Sequence, residues 1–166
     1  MSKKPKILAV SGTPGTGKTE IARNLSLLDN YTYLDVKKLI VKEGISEGWD
    51  KKRQARIVDV KKLNSRLLEL IKAQKQAKKG LVIDSHLAHF LPKKSIDLCI
   101  ITKCDLKALK KRLEKRRYPK TKVRENLDAE IFDVCLNEAL EAGHKVVVLD
   151  TTKASPRALA RSIKLT

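Results

Sequence analysis

No apolar run in this sequence exceeds four residues; Ile7–Val10, Leu98–Ile101 and Val146–Leu149 are the longest candidates. A membrane-spanning helix needs about 20 such residues and a secretory core about 7–15, so neither fits. Cysteine is sparse. Cys99, Cys104 and Cys135 are odd in number, lack a C-x-x-C pair and fall in apolar stretches. They read as small reduced core residues of a cytoplasmic protein rather than as metal ligands. Repeats and low-complexity tracts are absent, which excludes a repeat array. Acidic residues are also scarce, 19 against 37 Lys and Arg, for a net charge of +18. That balance favours polyanionic partners such as RNA, or anionic small substrates. A Lys-rich solvated surface of the heat-tolerant kind is the alternative, and composition leaves both open.

What is present is enough to fold. The 166 residues hold one domain with a real core, and 42% hydrophobic against 34% charged residues argues against disorder. Short apolar runs alternate with segments of helical period, the pattern of an α/β, three-layer, doubly wound parallel sheet. Five strands are expected, at Lys6–Ser11, Thr32–Asp35, Leu81–Asp84, Ile96–Thr102 and Lys145–Asp150. Leu63, Leu67, Leu70 and Ile71 define a long amphipathic helix capped by Asp59. Further helices are expected after Thr19, from Asp105 to about Arg117, and from about Lys122 to Glu141. The last begins at Ser155 with Pro156 in its first turn. Lys42–Arg56 and Arg112–Arg124 break the alternation and read as mobile insertions over a site. The stretch Lys103–Asn126 carries eleven basic residues against Asp105, Glu114 and Glu125, a net +8.

Directly after the first strand stands Gly12-Thr13-Pro14-Gly15-Thr16-Gly17-Lys18-Thr19, a full G-x-x-x-x-G-K-T phosphate-binding loop. Its glycines let backbone N–H groups turn inward around a phosphate, and the following helix adds its positive end. Gly12, Gly15, Thr16, Gly17, Lys18 and Thr19 are therefore the nucleotide-binding candidates. Lys18 reaches the β and γ oxygens, and Thr19 offers a hydroxyl to Mg²⁺. A second carboxylate at the end of a buried strand is needed, and Leu81-Val82-Ile83-Asp84 supplies Asp84 for the metal. His86 is a catalytic candidate facing the phosphates, with a metal pair alongside His89 as the alternative; His89 itself reads as structural. Arg112 and Arg116 share a helix face and can point together at phosphates. A basic helix terminus is the other reading of each. After the last strand, Thr151-Thr152-Lys153 lies at a carboxyl end beside the loop, a place where a purine ring can rest.

In order and spacing, Ser11–Thr19 (SGTPGTGKT), Leu81–His86 (LVIDSH), Arg112–Tyr118 (RLEKRRY) and Glu125–Glu138 (ENLDAEIFDVCLNE) resemble the adenylate kinase isoenzyme 6 family, also called coilin-interacting nuclear ATPases. The resemblance covers most of the chain. It implies a single P-loop nucleoside monophosphate kinase domain over residues 1–166, with a monophosphate-binding insertion at about 35–59 and a short lid at about 115–125. By the same resemblance, Gly15, Gly17, Lys18, Thr19 and Glu20 bind ATP phosphates. Arg116 and Lys153 meet the nucleotide from the lid and the final loop, and His86 matches a D-x-H histidine tied to hydrolysis. Glu20 stands where the family pattern has a second Thr, and Val41 where it has an arginine for AMP, with Lys38 and Lys42 as neighbouring cations.

The implied activity is an ATP:AMP phosphotransferase with ATPase activity, using ATP and Mg²⁺, in small ribosomal subunit biogenesis and pre-rRNA processing. The implied partners are ATP, ADP and AMP, a small-subunit platform ribosomal protein, and pre-rRNA or a small-subunit precursor, with no membrane. Two alternatives stay open: a nucleotide-gated assembly chaperone for that ribosomal protein with incidental kinase turnover, and a kinase for another small acceptor.

Overall fold

Three strands of this chain are buried along nearly their whole length: β1 (Ile7–Gly12), β5 (Gly80–Asp84) and β6 (Leu98–Lys103). Helices cover both faces, which is why their sequences run apolar without alternation. The computed structural model describes residues 6–28 and 31–164. Its main sheet is parallel, in the order β2-β5-β1-β6-β7, with β2 (Tyr31–Asp35) and β7 (Val146–Asp150) as half-exposed edges. From β1 the chain moves toward the β2 edge, and every later crossover runs the other way. The carboxyl ends of the strands therefore gather at a doubly wound sheet's binding crevice.

Side-chain alternation assigns the two faces. Leu8, Val10, Val82 and Ile100 meet Ile21, Ala22 and Leu25 of α1 (Lys18–Ser26) and Ala160 of α7 (Pro156–Ser162). Ile7, Ala9, Ile83 and Ile101 meet Leu63, Leu67 and Ile71 of α3 (Val60–Gln76). A third cluster joins Leu109 and Leu113 of α4 (Leu106–Lys115) to Val123 of α5 (Lys120–Ile131) and Cys104. It seats α4 against the phosphate-loop edge. All three cysteines are free, Cys99 and Cys104 buried and Cys135 half-buried.

The five expected strands are present within two residues at each end, and Asp59 caps α3 by accepting from the Lys61 and Lys62 amides. Ser155 caps α7 as expected, with Pro156 in its first turn. Two expectations are corrected. The single helix from about Lys122 to Glu141 is two, α5 and α6 (Val134–Glu141), because Asp133 takes a left-handed φ of 51° and breaks the helical ladder. The stretch after α2 (Val36–Glu43) is an antiparallel hairpin, β3 (Ser46–Asp50) with β4 (Ala55–Val58). Only Ile45 near its start is buried, so no apolar period announces it.

Candidate active site

Gly12 leaves β1 at a φ of 137°, and a Cβ there would lie 2.5 Å from the Thr102 carbonyl of β6. Gly15, at 95°, lies so close to α4 that a Cβ would come within 2.9 Å of Leu109 Cδ1. Only glycine allows both turns. Thr16 is buried between them: its Oγ1 donates to the Thr13 carbonyl at 2.7 Å and lies 2.7 Å from Thr102 Oγ1. Its hydroxyl braces the loop from within, and Thr151 at the end of β7 donates to its carbonyl at 2.6 Å. The loop is thus fixed to the carboxyl ends of β6 and β7.

Lys18 opens α1 and folds back over the loop, donating to the carbonyls of Gly12 (2.9 Å) and Thr13 (3.0 Å). Burial, the largest influence, lowers its pKa to about 8. Thr19, the next residue, donates through Oγ1 to Asp84 Oδ2 at 2.7 Å. Parallel pairing sets Asp84 beside Val10 and Asp35, at the end of the strand next to β1. Tyr33 of β2 donates to the same oxygen at 2.8 Å, and burial followed by that hydrogen bond raises its phenol to about 12. Sequence reasoning missed Tyr33, because its place beside Asp84 depends on the β2–β5 register.

His86 is exposed, two residues beyond the end of β5. Desolvation by the surrounding protein, then the Lys18 charge, pulls its pKa below the ordinary imidazole range, with smaller contributions from His89 and Lys122. It stands within electrostatic reach of both the phosphate loop and α5. His89 is buried and committed on both sides: Nδ1 lies 2.8 Å from Ser11 Oγ and Nε2 2.8 Å from Glu138 Oε2. It links the residue before the phosphate loop to α6, as a structural histidine does. Cys135, unanticipated here, lies close enough to Gly12 and Lys18 for each to bear on its thiol, which burial raises to about 11.

Arg112 is brought to the loop. Its guanidinium donates to the carbonyls of Gly15 (3.4 Å) and Thr151 (2.9 Å) and to Thr151 Oγ1 (3.2 Å). Arg116 caps α4, exposed, with its charge felt at Lys18. Glu20 turns outward to pair with Arg23 at 3.8 Å, so its backbone is what faces the loop side of α1. Lys153 is exposed in the loop after β7. Val41, Lys38 and Lys42 are exposed on α2, and the hairpin reaches across to α5, where Lys122 Nζ donates to the Gln54 carbonyl at 3.0 Å. Arg53 lies 3.6 Å from Glu125 in the same contact.

The family described as an AAA domain matches residues 8–133. A Thermococcus onnurineus (strain NA1) protein named "Putative adenylate kinase" is 36% identical over 157 residues, covering 95% of this chain and 81% of its own. The "Adenylate kinase isoenzyme 6 homolog" of Dictyostelium discoideum is 34% identical over 147 residues, 89% of this chain and 81% of its own. Among solved structures, shikimate kinase from Acinetobacter baumannii in complex with shikimate superposes with a TM-score of 0.64 at 16% identity, covering 99% of this chain and 97% of that one. An unliganded sugar kinase from Janibacter sp. HTCC2649 gives 0.67 at 20% identity, covering 95% and 91%. These two likenesses show a shared fold. At 34–36% identity over most of its length to the Thermococcus onnurineus and Dictyostelium discoideum proteins, the chain belongs to the adenylate kinase isoenzyme 6 family of P-loop proteins.

Proposed function

We propose that this chain is a nucleoside monophosphate kinase that interconverts ATP plus AMP with two ADP, and that it also hydrolyses ATP. One observation carries the reading: Lys18, the Thr19–Asp84 pair and Arg112 converge on one glycine loop at the carboxyl edge of the sheet. The names borne by the relatives support the same reaction class.

In this reading the amides of the Gly12–Thr19 loop and the start of α1, Glu20 N–H included, hold the ATP phosphates. Lys18 has three N–H donors, two of them on loop carbonyls, so one remains for a β or γ oxygen. Thr19 Oγ1 and Asp84 Oδ2 are hard oxygen donors that suit Mg²⁺ and would hold it. When bound, Mg²⁺ supplies neutralisation of the phosphate charge. Arg112 and Arg116 add cations from α4, and Lys153 meets the nucleotide from the final loop. An acceptor phosphate oxygen attacks the γ-phosphorus, the bond to the β–γ bridging oxygen breaks, and ADP leaves with that electron pair. Lys38 and Lys42 of the 35–59 insertion are assigned to the acceptor phosphate. With water as acceptor the products are ADP and phosphate, and neutral His86, within electrostatic reach of Lys18 and Lys122, is assigned to orient that water.

The +18 charge and the resemblance to the isoenzyme 6 family support a cytoplasmic role in small ribosomal subunit biogenesis and pre-rRNA processing. The partners in that role are a platform ribosomal protein and pre-rRNA or a small-subunit precursor. The lid assigned to about 115–125 comprises the turn 116–119 between α4 and α5 and the start of α5, and it is short. Incomplete exclusion of water favours hydrolysis, which supports a second reading: a nucleotide-gated assembly chaperone whose kinase turnover is incidental.

Chromatography of products from ATP alone, ATP plus AMP and ATP plus other acceptors, each with and without the platform protein, separates the readings. AMP-dependent formation of ADP supports the kinase. ADP and phosphate that no acceptor increases, but that the platform protein alters, overturn it in favour of the gated chaperone.

A further inference from the structure

A shallow groove of about 740 Å³ opens between the C-terminal half of α3 and the loop leading into β6, lined by Leu68, Ile71, Lys72, Lys75, Pro92 and Lys94. It lies at the amino edge of the sheet. Asp84 ends β5 in the nucleotide cleft and Gly80 begins it at the opposite edge, so roughly 13 Å of strand separates the two levels. The floor is apolar, with Ile71 buried, Leu68 half-buried and Pro92 exposed. The rim is cationic: Lys72, Lys75 and Lys94 are exposed, and none of their ammonium groups has an ion-pair or hydrogen-bond partner among the described residues. Neighbouring acids are engaged elsewhere. Glu69 pairs with Arg66 at 2.8 Å, and Asp97 accepts from the Ile7 amide at 2.6 Å. Lys78, Lys79, Lys93 and Lys145 stand shortly before β5, β6 and β7, so the parallel topology gathers their charge on this same edge. Phosphoryl transfer at the opposite edge uses none of these groups.

We propose that the groove docks an acidic protein segment carrying aliphatic or aromatic anchor residues. Its apolar floor gains about 25 cal/mol per Å² from buried hydrocarbon, which a sugar–phosphate backbone does not offer. No aromatic side chain lines it to stack a nucleic-acid base. The lysine rim complements carboxylates and steers their approach. Single-stranded RNA is the competing occupant.

The test screens a randomised library of short Asp- and Glu-rich peptides, each with one Leu, Ile or Phe, against the full chain. The best binder, labelled with fluorescein, is then titrated by anisotropy beside oligouridylate. The expected result is saturable peptide binding that weakens at least about tenfold in the exposed-site variant Lys72→Glu/Lys75→Glu/Lys94→Glu. Leu68→Ser weakens it as well, while circular dichroism and nucleotide turnover of the triple variant stay at wild-type values. A library without a saturable binder overturns the proposal. So does a binder indifferent to the triple variant, and so does oligouridylate that binds more tightly than any peptide and loses that binding in the triple variant.

Discussion

Thr19 donates its hydroxyl to Asp84 across 2.7 Å, joining the first turn of α1 to the end of β5. Tyr33 donates to the same carboxylate oxygen from the neighbouring strand. One carboxylate is therefore held by two hydroxyls, in the orientation that the proposed metal role needs. Asp84→Asn should lower turnover by about 10²–10³-fold, the scale of losing a preorganised charge at a reacting phosphate. Tyr33→Phe removes one neutral donor and should cost roughly 1 kcal/mol of stability with turnover reduced less than by Asp84→Asn. Steady-state rates and urea denaturation of both variants check the pair. Equal losses of turnover would mean that Tyr33 acts in the chemistry as well.

Lys18 gives a pH-dependent binding prediction. Its free-state pKa is lowered to about 8 by burial, and a bound polyphosphate should raise it. Below that value Lys18 is charged in both states; above it, binding must take up a proton. ATP affinity should therefore fall as pH rises through 8, with proton uptake seen by calorimetry in buffers of different ionisation heat. No proton uptake at pH 8–9 would contradict the placement of Lys18 against the phosphates.

The buried chain Ser11–His89–Glu138 makes a stability prediction with a sign. Burial, opposed by Glu138, sets the folded His89 pKa below the ordinary 6.5. Unfolded His89 then takes up a proton that folded His89 does not. The stabilisation is full above about pH 6.5 and is lost as pH falls toward the folded value. His89→Phe should cost about 1–3 kcal/mol by stranding its partners. It should also flatten the fall of Tm between pH 7 and 5; an unchanged slope would show that other groups set the acid sensitivity.

Gly15→Ala places a methyl group 2.9 Å from Leu109 Cδ1 at a φ of 95°. The strain should cost about 1–3 kcal/mol and displace the loop from α4. Weakened ATP binding together with a lowered Tm is the expected outcome. Wild-type ATP affinity would show that the loop tolerates the shift.

The central strands were legible because covered strands must be apolar, and the phosphate loop because its chemistry demands glycines at fixed spacing. Asp84 followed from its place after Leu81-Val82-Ile83. Tyr33 and Thr102 were not legible, because each meets the site only through strand register; Thr151 was legible as lying beside the loop, but its hydrogen bond to the Thr16 carbonyl, 135 positions away in the chain, was not. The hairpin Ser46–Val58 went unread since it buries little apolar surface. The break at Asp133 was hidden by the apolar period continuing through Ile131 and Val134. Gly17 at the cap of α1 was legible, but the inward turn of the Thr16 hydroxyl was not.

The most direct measurement compares AMP-dependent ADP formation by the wild type and by Lys18→Ala. Lys18→Ala also removes two hydrogen bonds to loop carbonyls, so circular dichroism and Tm of the variant are measured first to establish that it is folded. The wild type is predicted to convert ATP plus AMP to two ADP, and Lys18→Ala to lose that conversion and ATP hydrolysis together. A folded Lys18→Ala protein that keeps more than about half of the wild-type rate would contradict the assignment of phosphoryl transfer to this loop.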